Sequence, residues 1–154
     1  MEEYEYSFKV QDIRPYIEYC ESNKYKLVSS IKQNRLVYEN IDNNKILARI
    51  TEENKRVYID FKNVDTNDND LKISHESLPL CINDIDIKVI ESILDVLKFK
   101  KVSRLYRHRS IYKKNDVIFE IDDYIVPKMK VVALEGKRSE VDKIYQEIIN
   151  KIKN

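Results

Sequence analysis

Residues 3–10 read Glu3-Tyr4-Glu5-Tyr6-Ser7-Phe8-Lys9-Val10, a strict alternation of polar and apolar side chains. Successive side chains of a β-strand point to opposite faces. One face of this strand therefore carries two carboxylates, a hydroxyl and an ammonium, while the other is aromatic and aliphatic. A polar strand face ordinarily meets water, but here the layout recurs in strand after strand. Arg56, Tyr58, Asp60 and Lys62 alternate with Val57, Ile59 and Phe61, and Asp116, Ile118, Glu120 and Asp122 alternate with Val117, Phe119 and Ile121. Lys45 and Arg49 share a face with Leu47 and Thr51, Lys72 with Ser74 and Glu76, and Arg107 and Arg109 with Ser103 and Leu105. The last such segment aligns Val131, Ala133 and Glu135.

Eight strands are predicted at 2–10, 25–40, 45–51, 55–63, 71–77, 101–112, 116–124 and 129–135, with helices near 12–23, 84–98 and 138–152. Asp12 is the expected N-cap of the first helix, with Pro15 inside its first turn. The chain has one Gly and three Pro, so Asn and Asp must make the turns, as in Asp42-Asn43-Asn44. The run Asp65-Thr66-Asn67-Asp68-Asn69-Asp70 lacks the Gly and distal Glu of a calcium loop and reads as a solvated hairpin loop. The expectation is one α+β domain over residues 1–154, dominated by antiparallel strands.

Composition narrows the function. Charged residues make up 36% of the 154, yet 28 Lys and Arg against 27 Asp and Glu leave a net charge of only +1. That balance argues against a nucleic-acid partner. No apolar run approaches a membrane span, and the acidic start is unlike a secretory signal. Cys20 and Cys81 lack metal or redox spacing and read as reduced thiols of a cytoplasmic protein. His75 and His108 stand alone, which argues against zinc, and one Gly cannot build a glycine-rich phosphate loop.

Three amphipathic helices cover only part of so much apolar strand face. An eight-stranded antiparallel β-barrel resolves the problem, because closure removes edges and turns one face of every strand to a lumen. A lumen lined by Arg, Lys and Glu cannot be a dry core, since unpaired buried charge costs several kcal/mol per ion. It must be wet and hold a highly charged ligand. Cations at this density suit a polyphosphate, and neighbouring carboxylates suit the divalent metal that travels with one.

Taken in order, these segments resemble the CYTH, or triphosphate tunnel metalloenzyme, family, which includes class IV adenylyl cyclases and thiamine-triphosphatase-like proteins. Glu5-Tyr6-Ser7-Phe8-Lys9 resembles its opening Glu-x-Glu-x-Lys strand. Leu47-Ala48-Arg49-Ile50, Tyr58-Ile59-Asp60-Phe61-Lys62 and Arg107-His108-Arg109 resemble its basic strands. Ile118-Phe119-Glu120-Ile121-Asp122 and Ala133-Leu134-Glu135-Gly136 resemble its acidic ones. The resemblance implies Arg49, Lys62, Arg107 and Arg109 as phosphate holders and Lys9 and Glu5 as catalytic residues. It further implies Glu3, Glu5, Glu76, Glu120, Asp122 and Glu135 as ligands of Mg²⁺ or Mn²⁺. The departures are Ser7 and Ala133 where carboxylates are expected, Thr51 in place of an Arg, and a fifth strand that offers only Glu76.

The implied activity is metal-assisted hydrolysis of an inorganic or organic triphosphate such as tripolyphosphate or ATP. Cyclisation of ATP to cyclic AMP ranks lower, because no motif reads as a nucleobase pocket. A binding module that keeps the cations without the metal chemistry is the other class, and homodimerisation stays open.

Overall fold

Eight strands close on themselves in the ring order 46–53, 26–40, 99–114, 117–126, 129–135, 2–10, 71–76 and 56–68, with every neighbour antiparallel and the last pairing with the first to complete the circuit. The computed structural model describes residues 2–153. In chain order the elements are β1 (Glu2–Val10), α1 (Arg14–Ser22), β2 (Lys26–Asn40), β3 (Ile46–Glu53), β4 (Arg56–Asp68), β5 (Leu71–Glu76) and β6 (Leu80–Cys81). Then follow α2 (Ile87–Val96), β7 (Phe99–Lys114), β8 (Val117–Val126), β9 (Met129–Glu135) and α3 (Arg138–Ile148), which runs into a π-helical turn (Ile149–Lys153). The two-residue β6 lies outside the ring, paired with β4. The fold is the α+β barrel expected from the alternation, with three helices on its outside. No helix among the described residues is long and apolar enough to cross a membrane.

The apolar strand faces point outward and build two cores under the helices. Phe8, Phe119, Ile121, Val132 and Leu134 on β1, β8 and β9 pack with Tyr16, Tyr19 and Cys20 of α1 and Val141 and Ile148 of α3. Tyr38, Ala48, Ile50, Ile59 and Phe99 on β2, β3, β4 and β7 pack with Ile90 and Leu94 of α2. Burying apolar surface at roughly 25 cal/mol per Å² stabilises both layers and leaves the polar faces for the lumen. Tyr4 and Tyr6 both donate to Asp142 Oδ1 at 2.6 Å, which ties α3 to β1.

Several local expectations are corrected. The first helix begins at Arg14 with Ile13 at its N-cap; Asp12 sits one residue earlier, where its Oδ1 accepts from the Arg14 backbone N–H at 3.0 Å. The second begins at Ile87 rather than 84, capped by the Asp86 side chain accepting from Lys88 N–H. The run 65–70 is mostly strand: β4 continues to Asp68 opposite β5, after a bulge between Val64 and Thr66. Only Asn69 and Asp70 turn, and Asn69 takes φ +54°, a left-handed conformation that Asn tolerates. At the earlier turn Asn40 Oδ1 accepts from the backbone N–H groups of Asp42 and Asn43, as Asx turns do.

Candidate functional site

The lumen is a cavity of about 380 Å³ walled almost wholly by charge. Six cations line it (Arg35, Arg49, Lys62, Lys72, Arg107, Arg109) and six carboxylates (Glu3, Glu5, Glu76, Glu120, Asp122, Glu135), with Ser7, Tyr124, Val131 and Ala133 between them. Each reaches the lumen through the period-two alternation of its strand.

Strand order sorts these charges into two walls. The arginines come from the consecutive strands β3 (Arg49), β2 (Arg35) and β7 (Arg107, Arg109), whereas the carboxylates come from β8, β9, β1 and β5. β2 stands four places round the eight-membered ring from β1, so the centre of the basic arc faces the centre of the acidic one.

At the two seams between the walls the charges cancel. Arg109 donates from Nε and Nη2 to the two oxygens of Asp122, at 2.8 and 2.9 Å, and from Nη1 to Glu120 Oε2 at 2.9 Å. Arg49 forks onto Asp60 (3.0 and 2.6 Å) and bonds Glu76 Oε1 at 2.7 Å. These bidentate, charge-assisted pairs are the strong class of hydrogen bond. Burial would depress the Arg109 pKa, but Glu120 and Asp122 raise it.

In the middle of each wall charge is left over. Arg35 is buried, and its only hydrogen bond among the described residues is from Nε to Thr51 Oγ1 at 2.9 Å; no carboxylate pairs with it. Burial, then the nearby Arg107, Arg49 and Arg109, push its pKa down to about 10. Opposite, oxygens of Glu3, Glu5 and Glu135 lie within 4.8 Å of one another. Burial, then Glu120, Glu3 and Glu5, push Glu135 up to about 9. Burial and a hydrogen bond with Glu76 push Glu3 up to about 8, although Lys62 Nζ stands 3.5 Å away and pulls the other way. Burial also tends to raise Glu76, but the hydrogen bond with Glu3, and then the charges of Arg49 and Lys62, hold it low, at about 2. Three crowded carboxylates that resist ionisation are a donor set which a hard divalent cation suits, because its charge offsets their repulsion.

Of the residues singled out in the sequence, Arg49, Lys62, Arg107, Arg109, Glu3, Glu5, Glu76, Glu120, Asp122 and Glu135 all line the lumen. The six acidic ones do not form one group. Glu3, Glu5 and Glu135 gather, while Glu120 and Asp122 hold Arg109 and Glu76 holds Arg49. Lys9 is not among the cavity-lining residues: it lies near the end of β1, opposite Val131, exposed, and borders a separate hollow with Gln11, Asp12 and Pro15. Alternation gave its face correctly but not its depth. Arg35, Lys72 and Tyr124 are lumen residues the motif reading missed. Gln33-x-Arg35 has the required period, but Ile31 and Val37 flank it on the same face and hide the charge.

The two positions at which a carboxylate was expected and is missing are also neighbours. Ser7 pairs with Ala133 across β1 and β9, and Ala133 pairs with Glu120 on β8, so one rung of the acidic wall carries Glu120 and two small residues.

The closed eight-stranded antiparallel barrel with three helices matches a CYTH-like α+β fold. No family model and no curated protein matches the chain. Among solved structures, PH1012 from Pyrococcus horikoshii OT3 is 21% identical with a TM-score of 0.77, over 96% of this chain and 88% of that one. HpAC1 from Hippeastrum, a proposed adenylyl cyclase with a dominant triphosphatase activity, is 12% identical with a TM-score of 0.68, over 97% and 87%. A chain of the Schizosaccharomyces pombe Mediator head module is 8% identical with a TM-score of 0.62, over 97% and 94%. At these identities the likeness is one of fold, and one fold hosts several functions.

Proposed function

We propose that the chain is a single CYTH-like domain that binds triphosphates in its lumen, and that it is a divalent-metal-dependent phosphohydrolase of inorganic or organic triphosphates. The observation that carries this reading is Arg35, with which no carboxylate among the described residues pairs, beside Arg107, whose nearest carboxylate stands 3.7 Å away, both facing Glu3, Glu5 and Glu135 across the tunnel. A polyphosphate supplies the negative charge that one wall lacks, and the metal it travels with supplies the positive charge that the other lacks.

In this reading Arg35 and Arg107 hold phosphoryl oxygens and hold the chain in line, and Lys62 and Lys72 stand beside the acidic wall to balance its charge. Glu3, Glu5 and Glu135 would hold Mg²⁺ or Mn²⁺, which when bound polarises phosphoryl oxygens and lowers the pKa of bound water. Arg109, already satisfied by Asp122 and Glu120, keeps those two carboxylates oriented. Cyclisation of ATP ranks lower, because Tyr124, the one aromatic residue among the described residues lining the cavity, is engaged by Arg107. The rung of Ser7 and Ala133 favours a second reading, a polyphosphate-binding module with weak metal affinity. Free thiols at Cys20 and Cys81 support a cytoplasmic setting. The exposed apolar stripe of Val89, Ile93 and Val96 along α2 supports a homodimer through that helix.

Phosphate release from tripolyphosphate and from ATP, with Mg²⁺ or Mn²⁺, measured beside direct binding of the same ligands, tests the proposal. Turnover that vanishes with chelator supports the hydrolase; tight binding without turnover selects the binding module; neither binding nor turnover overturns both.

A further inference from the structure

Arg107, unlike Arg49 and Arg109, makes its hydrogen bonds to neutral partners. It is 3% exposed, and its Nε donates to Gln33 Oε1 at 2.9 Å while its Nη1 donates to the Tyr124 hydroxyl. The Gln33 amide is itself fixed, because its Nε2 donates to Glu53 Oε2 and so turns Oε1 toward Arg107. The nearest carboxylate, Asp122, stands 3.7 Å from Nη1, beyond hydrogen-bond length. Nη2 is buried with no hydrogen-bond partner among the described residues. A buried guanidinium N–H without an acceptor is costly and asks for one.

Carboxylates could have held this guanidinium equally well, as they hold Arg109 and Arg49, but they would have cancelled its charge. A glutamine and a tyrosine fix its direction and leave the charge available. Arg35 lies diagonally beside it: Arg35 pairs with Leu105 on β7, two residues from Arg107, and no carboxylate pairs with it either.

The geometry points to a seat for one terminal phosphoryl group between Arg107 Nη2 and Arg35, in which Gln33 and Tyr124 are positioning residues and Glu53 locks Gln33. The inference rests on the triphosphate-binding reading and adds which end of the ligand goes where. A terminal phosphoryl group presents the most oxygens and the highest charge of the chain, so it belongs at the centre of the basic arc, farthest from the carboxylates of β9 and β1. The inner phosphoryl groups then lie toward the acidic wall.

The test uses inorganic tripolyphosphate without divalent metal. Calorimetric titration is run on the native protein, Tyr124→Phe, Gln33→Leu and Arg104→Gln; Arg104 is an exposed cation on the outer surface. Each positioning variant should bind about tenfold more weakly, the scale of one hydrogen bond to a charged group, and Arg104→Gln should bind as the native protein does. Nitrogen-15 spectra of the arginine side chains give a readout that mere structural support would not move. The Arg107 Nη signals, identified by their loss in Arg107→Lys, should shift and sharpen on adding tripolyphosphate, and Tyr124→Phe should abolish that change. Native-like affinity and Arg107 signals in both positioning variants would overturn the inference and leave the triphosphate reading standing. No binding to the native protein overturns both. If Tyr124→Phe fails to fold, Gln33→Leu and the native spectrum decide, and Arg107 signals unmoved by ligand overturn the seat.

Discussion

Arg35 shows how a residue can weaken the fold and serve the site. It is buried beside Arg107, Arg49 and Arg109, with Thr51 as its one hydrogen-bond partner among the described residues. Replacing it by Met, close in volume, removes that repulsion. The Arg35→Met protein is expected to melt at or above the native temperature and to lose about 1.5–3 kcal/mol of tripolyphosphate affinity, the range for hydrogen bonds to charged groups. Calorimetry of unfolding beside a binding titration checks both halves; a lower melting point with unchanged affinity refutes the assignment. Glu135 makes the mirror case. Its pKa rises from an ordinary 4.5 to about 9 on folding, so between those values the native state holds a proton that the unfolded chain has released. Stability is present below pH 4.5 and lost as pH rises toward 9. In the absence of divalent metal, Glu135→Gln should therefore be more stable than the native protein at pH 8, on the order of 1–3 kcal/mol. Added Mn²⁺ should raise the native melting point and leave the variant's almost unchanged. A native melting point that does not fall between pH 5 and 8 would count against the crowded triad.

At the scale of elements, alternation was a good guide to which face a residue occupies and a poor one to how far along the barrel it sits. Glu5, Lys62, Arg109 and Glu120 could be placed in the lumen because each interrupts a regular apolar partner set, whereas Lys9 obeys the same pattern, on the row of Val131, Asp122 and Arg109, with its side chain exposed near the end of β1. Arg35 was illegible because β2 mixes Ser, Ile, Gln and Val on its inner face. Strand length was underestimated at β4, where Asn67 and Asp68 have weak strand propensity but pair with β5 all the same. Pairing register, which no single strand contains, is what brings Ser7 opposite Ala133. Two carboxylates restored there would stand beside Glu120. Ser7→Glu with Ala133→Glu should lower the melting point in chelator, through added like charge, and raise affinity for Mg²⁺ by tenfold or more, roughly 1.4 kcal/mol. Titration with Mg²⁺ checks the second effect, and an unchanged affinity means that this rung lies outside the metal's reach.

For the whole molecule the decisive feature is how the ring closes. β1 lies between β9 and β5, so its strand partners come from residues 129–135 and 71–76. Loop closure over such separations is entropically costly, and folds dominated by distant pairings form slowly. Refolding from denaturant should accordingly take milliseconds to seconds, and tripolyphosphate should slow unfolding more than it speeds refolding, because both walls must exist before it binds. Stopped-flow measurements with and without the ligand check this; a refolding rate raised in proportion to ligand affinity would show that the tunnel assembles early. On the ribosome the same ring imposes an order of events. The oldest strand of the barrel must wait, one edge bare, until nearly all the rest has been synthesised, and Glu5 meets Glu135 only at that moment. The first and last strands of the barrel thus meet in the carboxylate triad, and a nascent chain has no closed tunnel until β9 has emerged.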